Sequence, residues 1–84
     1  MKLKDTVVMM NSPNYQDRFR AEYWQNEIRL EKLLNLIDKY RRNALDFEPN
    51  CDLTILQAQA KYMTAYKNVL IERADMEDIK LNVK

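Results

Sequence analysis

The sequence predicts an all-α protein: a long antiparallel two-helix hairpin with extended N- and C-terminal segments, assembling with copies of itself into a homo-oligomeric helical bundle. Three observations carry that prediction. From Phe19 onward, apolar and aromatic residues recur at alternating steps of four and three, the period of one helix face. A second stretch, beginning at Leu53, is apolar around more than half of its helical circumference, which is more than one neighbouring helix can cover. The chain has 84 residues, no Gly and two Pro, so little interrupts a helix and one intrachain core is small.

Each element follows in order. Residues 1–12 hold a short apolar run at residues 7–10, too short for a signal segment or a membrane span, and are expected as an extended N-terminal segment. Ser12 followed by Pro13 marks a helix start: the hydroxyl accepts from an unpaired backbone N–H, and proline there gives up a donor with no partner. The first helix is expected over residues 13–43, with Phe19, Tyr23, Asn26, Leu30, Leu33, Ile37, Tyr40 and Ala44 on one face. It is about 45 Å long, and Lys39, Arg41 and Arg42 sit at its negative pole. Residues 44–52 form a linker containing Pro49, whose Leu45 and Phe47 can fold back to plug the hairpin end. Asp52 or Asn50 caps the second helix.

That second helix is expected over residues 53–77. Leu53, Leu56, Ala60, Met63, Leu70, Ile71 and Ala74 make one stripe; Ile55, Ala58, Tyr62, Ala65, Tyr66, Val69 and Met76 make another beside it. A lone hairpin buries the first and not the second, so other copies of the chain are expected on it. The plain alternative folds the N-terminal TVVMM and the tail DIKLNV over the second stripe within one chain. In the tail, residues 78–84, Ile79, Leu81 and Val83 alternate with polar residues, a pattern that also fits a short edge strand. Trp24 and Ile28 pose the same question on the first helix, pointing away from Phe19 and Tyr23. With Ile55, Tyr62 and Val69 they are read as oligomer contacts, the N-terminal segment being the alternative cover for Trp24 and Ile28.

Composition excludes several functions. Lys plus Arg number 14 against 13 Asp plus Glu, a net charge of +1, so no broad positive field draws DNA or RNA. With no His and one Cys no metal site is credible, and no nucleophile has an imidazole base. The lack of glycine rules out phosphate cradles of the Walker or dinucleotide type. Asp75 with Asp78, or Glu77 with Asp78, reads as solvated helix-end charge rather than an acid/base pair. No enzymatic activity and no cofactor are expected, and Cys51 is expected to stay reduced in a cytosol.

One polar pattern remains. Arg18, Glu22, Gln25, Arg29 and Lys32 follow one another at helical steps beside the first core stripe, and Gln59, Tyr62, Tyr66 and Arg73 flank the stripe of the second helix. Guanidinium forks suit phosphates and tyrosine faces suit bases. Arg18, Gln25, Arg29, Lys32, Gln59, Tyr62, Tyr66 and Arg73 are therefore the candidate ligand-binding residues. Against this stands the plain reading that Arg18 pairs with Glu22 and Gln25 with Arg29 along one helix. Lys67 falls inside an apolar stripe, where a lysine most often snorkels to the edge.

The strings RFRAEYWQNEIRLEKL, LDFEPNCDLTILQAQAKYM and YKNVLIERADMEDIKL resemble a family of small, mostly uncharacterised helical proteins of Firmicutes phages and prophages and of crAss-like phages. The residues that carry the resemblance are Arg18 to Tyr23, Arg29, Lys32, Leu33, Phe47, Pro49, Cys51, Leu56, Gln59, Met63, Tyr66 and Glu72 to Ala74. The linker departs from the pattern, reading RRNALDF in place of a glycine-containing turn. More distantly the chain is similar to phage helical-hairpin sponges of the anti-CBASS and anti-Thoeris kind. That likeness implies an anti-defence protein of the host cytoplasm that sequesters a cyclic oligonucleotide or cyclic ADP-ribose signal without cleaving it. Two other readings stay open: an adaptor or inhibitor docking on a host or phage protein through apolar helix faces, and a structural or assembly protein.

Overall fold

The computed structural model describes residues 1–82 and is helical, with no strand among them. Its order is α1 (Asp5–Met10), α2 (Tyr15–Arg41) and α3 (Leu53–Met76). α2 and α3 run antiparallel: Tyr15, at the start of α2, meets Arg73 and Glu77, at the end of α3, and Asn26 near the middle of α2 donates to the Met63 carbonyl at 3.0 Å. Asn26 was the one polar member of the predicted stripe. Its amide reaches across the hairpin while Phe19, Leu30, Leu33 and Ile37 on the same face are buried.

The core lies in two clusters along this interface. Phe19, Leu70, Ala74 and Ile79 form one, with Tyr23 and Leu81 against it; Leu30, Leu33, Ile37 and Ala60 form the other, with Leu36, Leu53, Leu56 and Met63. Small Ala60 and Ala74 on α3 admit the larger α2 side chains, so the helices approach closely. Between the clusters, the Lys67 ammonium lies 2.6 Å from a Glu27 carboxylate oxygen. Lys67 thus serves the hairpin, and the Glu27 carboxylate raises its pKa above the ordinary lysine value.

The termini differ from expectation. The N-terminal segment is not extended: Asp5–Met10 makes a short helix that packs on α2 and does not touch α3. Thr6 anchors it with no solvent exposure; its hydroxyl donates to the Leu3 carbonyl at 2.6 Å and accepts from Gln25 at 3.1 Å. Ala21, which belongs to neither predicted face of α2, is buried. α2 itself begins at Tyr15 rather than at Pro13, because Asn14 takes the cap and accepts from the Gln16 N–H. Ser12 meanwhile accepts from the Asn14 N–H and donates to Asp17.

The tail turns back along α2. The Trp24 indole N–H donates to the Leu81 carbonyl at 2.7 Å and Arg20 to the Lys80 carbonyl, while Ile79 is buried. Ile79 and Leu81 pack as a return segment, not a strand; Val83 lies outside the described residues. Both terminal segments therefore fold back, but onto α2, leaving the second stripe of α3 uncovered. Ile71, assigned to the buried stripe, is exposed. No helix among the described residues is long and apolar enough to cross a membrane.

Candidate functional site

The polar seam of α2 divides into two halves. At its N-terminal end Arg18 donates to the Ser12 carbonyl at 2.8 Å, and the Gln25 amide donates to Thr6 Oγ1 and to the Met10 sulfur. These side chains fix the N-terminal segment. Neither of the ordinary helix pairs, Arg18 with Glu22 or Gln25 with Arg29, forms. Arg29 and Lys32 are exposed and make no ion pair among the described residues.

Lys32 lies at a concavity. α2 ends in a turn where Asn43 takes a positive φ of 55° and the Ala44 N–H reaches back to the Lys39 carbonyl at 2.8 Å. That turn lays the linker over α2 and forms a half-open cavity of about 340 Å³ between Lys32, Asn35, Leu36 and Lys39 on the helix and residues 44–47 of the linker. Its volume falls in the range of small-ligand sites, roughly 300–1,000 Å³. Lys39, like Lys32, has no carboxylate within ion-pair distance among the described residues, although Asp46 is on the rim. The Phe47 ring is 56% exposed and borders a second cavity of about 320 Å³ with Tyr40, Asn43, Leu45, Glu48 and Pro49.

Leu45 and Phe47 were expected to plug the hairpin end. Leu45 is only half-buried and Phe47 is open, so they wall cavities instead of sealing a core. Sequence reasoning missed Asn35, Lys39 and Phe47 as site residues, taking Lys39 for dipole compensation and Phe47 for the plug. The signal was present: two lysines seven apart share a helix face, and the chain turns back just beyond them. Chemically, paired ammonium groups attract a phosphate, an amide reads a polar ring edge, and an uncovered aromatic face stacks.

On α3 the candidates stand differently. Arg73 is committed within the chain: its guanidinium lies 4.9 Å from the Phe19 ring centre, donates to the Tyr15 hydroxyl at 2.9 Å and pairs with Glu77 at 3.3 Å. The Tyr15 hydroxyl in turn donates to Glu77, a bond that raises its pKa. Together they clasp the open end of the hairpin. Gln59, Tyr62 and Tyr66 are exposed on a convex helix surface, and none of them borders either of the two cavities described. Of the eight predicted ligand residues, Lys32 alone borders either of these two cavities. Of the predicted oligomer contacts, Ile55, Tyr62 and Val69 are exposed; Trp24 is held by its own tail and Ile28 is half-buried.

A family model described as Sequestin matches residues 13–76, a span that takes in α2, the linker and α3 and leaves out α1 and the tail. No curated protein and no solved structure matches the chain.

Proposed function

The chain belongs to the Sequestin family, and on that premise we propose that it is a phage-encoded anti-defence protein that binds and holds a nucleotide-derived immune signal, of the cyclic oligonucleotide or cyclic ADP-ribose type, without cleaving it. The family name supports sequestration as the mode of action. The observation that carries the reading is the cavity under the linker, where Lys32 and Lys39 stand without ion-pair partners beside Asn35 and the open Phe47 ring. A phosphate between the two ammonium groups and a base against Phe47, with the Asn35 amide free to read the base edge, use the lysines and the aromatic face of that concavity, with the Asp46 carboxylate standing at its rim. Arg29, one turn before Lys32 and likewise unpaired, adds positive potential along the approach.

Sequestration needs affinity and abundance, not turnover: enough tight sites lower the free signal below the level an effector senses. Calorimetric titration with a panel of cyclic dinucleotides, cyclic trinucleotides and cyclic ADP-ribose isomers tests this, followed by heat denaturation and mass analysis of the released ligand. The expected result is micromolar or tighter binding of at least one compound and its recovery intact. Lys39→Ala and Phe47→Ala should each weaken that binding by about tenfold or more, the loss of one charged or stacking contact. Absence of binding across the panel, or recovery of a cleaved ligand, overturns the reading.

A further inference from the structure

α3 carries a ridge that nothing in the described chain covers. Ile55, Tyr62, Val69 and Met76 recur every seven residues and are 59%, 70%, 50% and 83% exposed. Ala58, Ala65 and Glu72 interleave three residues after the first three of them, which makes the a and d positions of a heptad repeat. The ridge lies opposite Ala60, Leu70 and Ala74, the residues α3 buries in the hairpin. α1 does not reach α3, and the tail is bound along α2.

We propose that this ridge is a self-complementary interface on which α3 of a second copy packs antiparallel. The charges beside the ridge select that occupant and that direction. Lys61, Asn68 and Asp75 run along one edge at seven-residue spacing, all exposed, and neither Lys61 nor Asp75 makes an ion pair among the described residues. A twofold axis at Asn68 sets Lys61 of each chain against the partner's Asp75, forming two ion pairs from residues otherwise unused. Parallel pairing sets this edge against Gln59, Tyr66 and Arg73 instead, where Lys61 meets no carboxylate.

The same register fits the side chains by size. Ala58 faces the partner's Met76 and Ala65 faces the partner's Val69, small against large in each layer, as close interdigitation requires. The Tyr62 hydroxyl meets the partner's Glu72, so the one charged residue on the ridge gains a donor. On the other edge Tyr66 meets its symmetry mate. Tyr62, read from sequence both as a ligand residue and as an oligomer contact, and Tyr66, read as a ligand residue, are interface residues in this arrangement. None of the residues lining the lysine cavity lies on α3, so assembly leaves a cavity open on each protomer.

Sedimentation equilibrium of the full chain, with helicity checked by circular dichroism, tests the proposal. The wild type should be dimeric at micromolar concentration, or of higher order built on this dimer. Asp75→Lys, a change at an exposed position, should weaken the dimer by about tenfold or more by turning two attractions into repulsions, and Lys61→Asp combined with it should restore the affinity. Direction is tested separately: with Cys51→Ser as background, Asn68→Cys should cross-link to itself on oxidation, since antiparallel pairing brings the two copies of residue 68 together. A monomeric wild type, which would leave the ridge to a different protein, overturns the proposal. So does a dimer indifferent to Asp75→Lys, or one in which residue 68 fails to cross-link. Nucleotide binding is read independently through Lys39→Ala, so failure of either idea does not imply failure of the other.

Discussion

Thr6 has no solvent exposure, and its hydroxyl is the pivot between the N-terminal segment and α2, donating to Leu3 and accepting from Gln25. Thr6→Val keeps the shape but strips both bonds, leaving the Leu3 carbonyl and the Gln25 amide short of partners. The variant should lose about 1–2 kcal/mol, read from its urea midpoint, with earlier proteolytic cleavage before residue 15. Besides Tyr15 at the open end, two groups at the hairpin seam link stability to pH. Burial, and then the Glu27 carboxylate, raises the Tyr23 pKa; Glu27 raises that of Lys67. Both groups hold their protons more tightly folded than unfolded, so their contribution is complete below the unfolded pKa values and is lost as pH rises through the folded ones. The urea midpoint should therefore hold to about pH 9 and fall above about pH 10, and Tyr23→Phe should shrink that fall. Lys67 stood out in the sequence as a charge in an apolar stripe. Its partner did not, because Glu27 is forty positions away and the pairing depends on the hairpin register.

α2 and α3 end alike, without glycine. Asn43 and Asp78 adopt positive φ of 55° and 54°, and the next residue's N–H reaches five back, Ala44 to Lys39 and Ile79 to Ala74, each at 2.8 Å. This is the Schellman arrangement, and Ile79 completes it by packing on Ala74 and Phe19. A left-handed conformation costs a non-glycine residue energy, least for Asn and Asp. Asp78→Gly should thus raise stability by about 1 kcal/mol or less, while Ile79→Ala should lower it by about 2–5 kcal/mol by emptying that corner of the core. Two thermal melts against the wild type check the pair, and a neutral Ile79→Ala would show that the tail does not brace the hairpin. The two long helices were legible because their four-three periods run for many turns. α1 was not: TVVMM spans six residues with Asp5 and has no room to display a period, so only its packing on α2, held by Gln25, makes it a helix.

At the scale of the molecule, α2 is the central element, with α3 on one face, α1 on another and the tail along a third, whereas α3 has a neighbour on one face only. The chain is correspondingly elongated: 43 × 24 × 20 Å, with a radius of gyration of 15.1 Å, where a globular chain of this length has about 12 Å. The surplus apolar arc on α3 was visible in the sequence as a second stripe, and the choice between self-assembly and cover by the termini turned on where the termini go, which sequence alone left open. They go to α2. A net charge of +1 offers little repulsion against association, and a chain whose own core is two small clusters gains from burying the separate α3 ridge against another copy. If α3 pairs as proposed, folding and assembly are coupled, and stability depends on protein concentration. For a dimer that unfolds to two free chains, a hundredfold rise in concentration adds about 2.7 kcal/mol; spread over the unfolding entropy of two chains, that raises the thermal midpoint by roughly 8 °C. Melts recorded by calorimetry and, at the dilute end, by circular dichroism can cover that range. Asp75→Lys should flatten the dependence and Lys61→Asp with Asp75→Lys should bring it back. A midpoint that stays fixed across the series would show that the α3 ridge contributes nothing to holding the fold together.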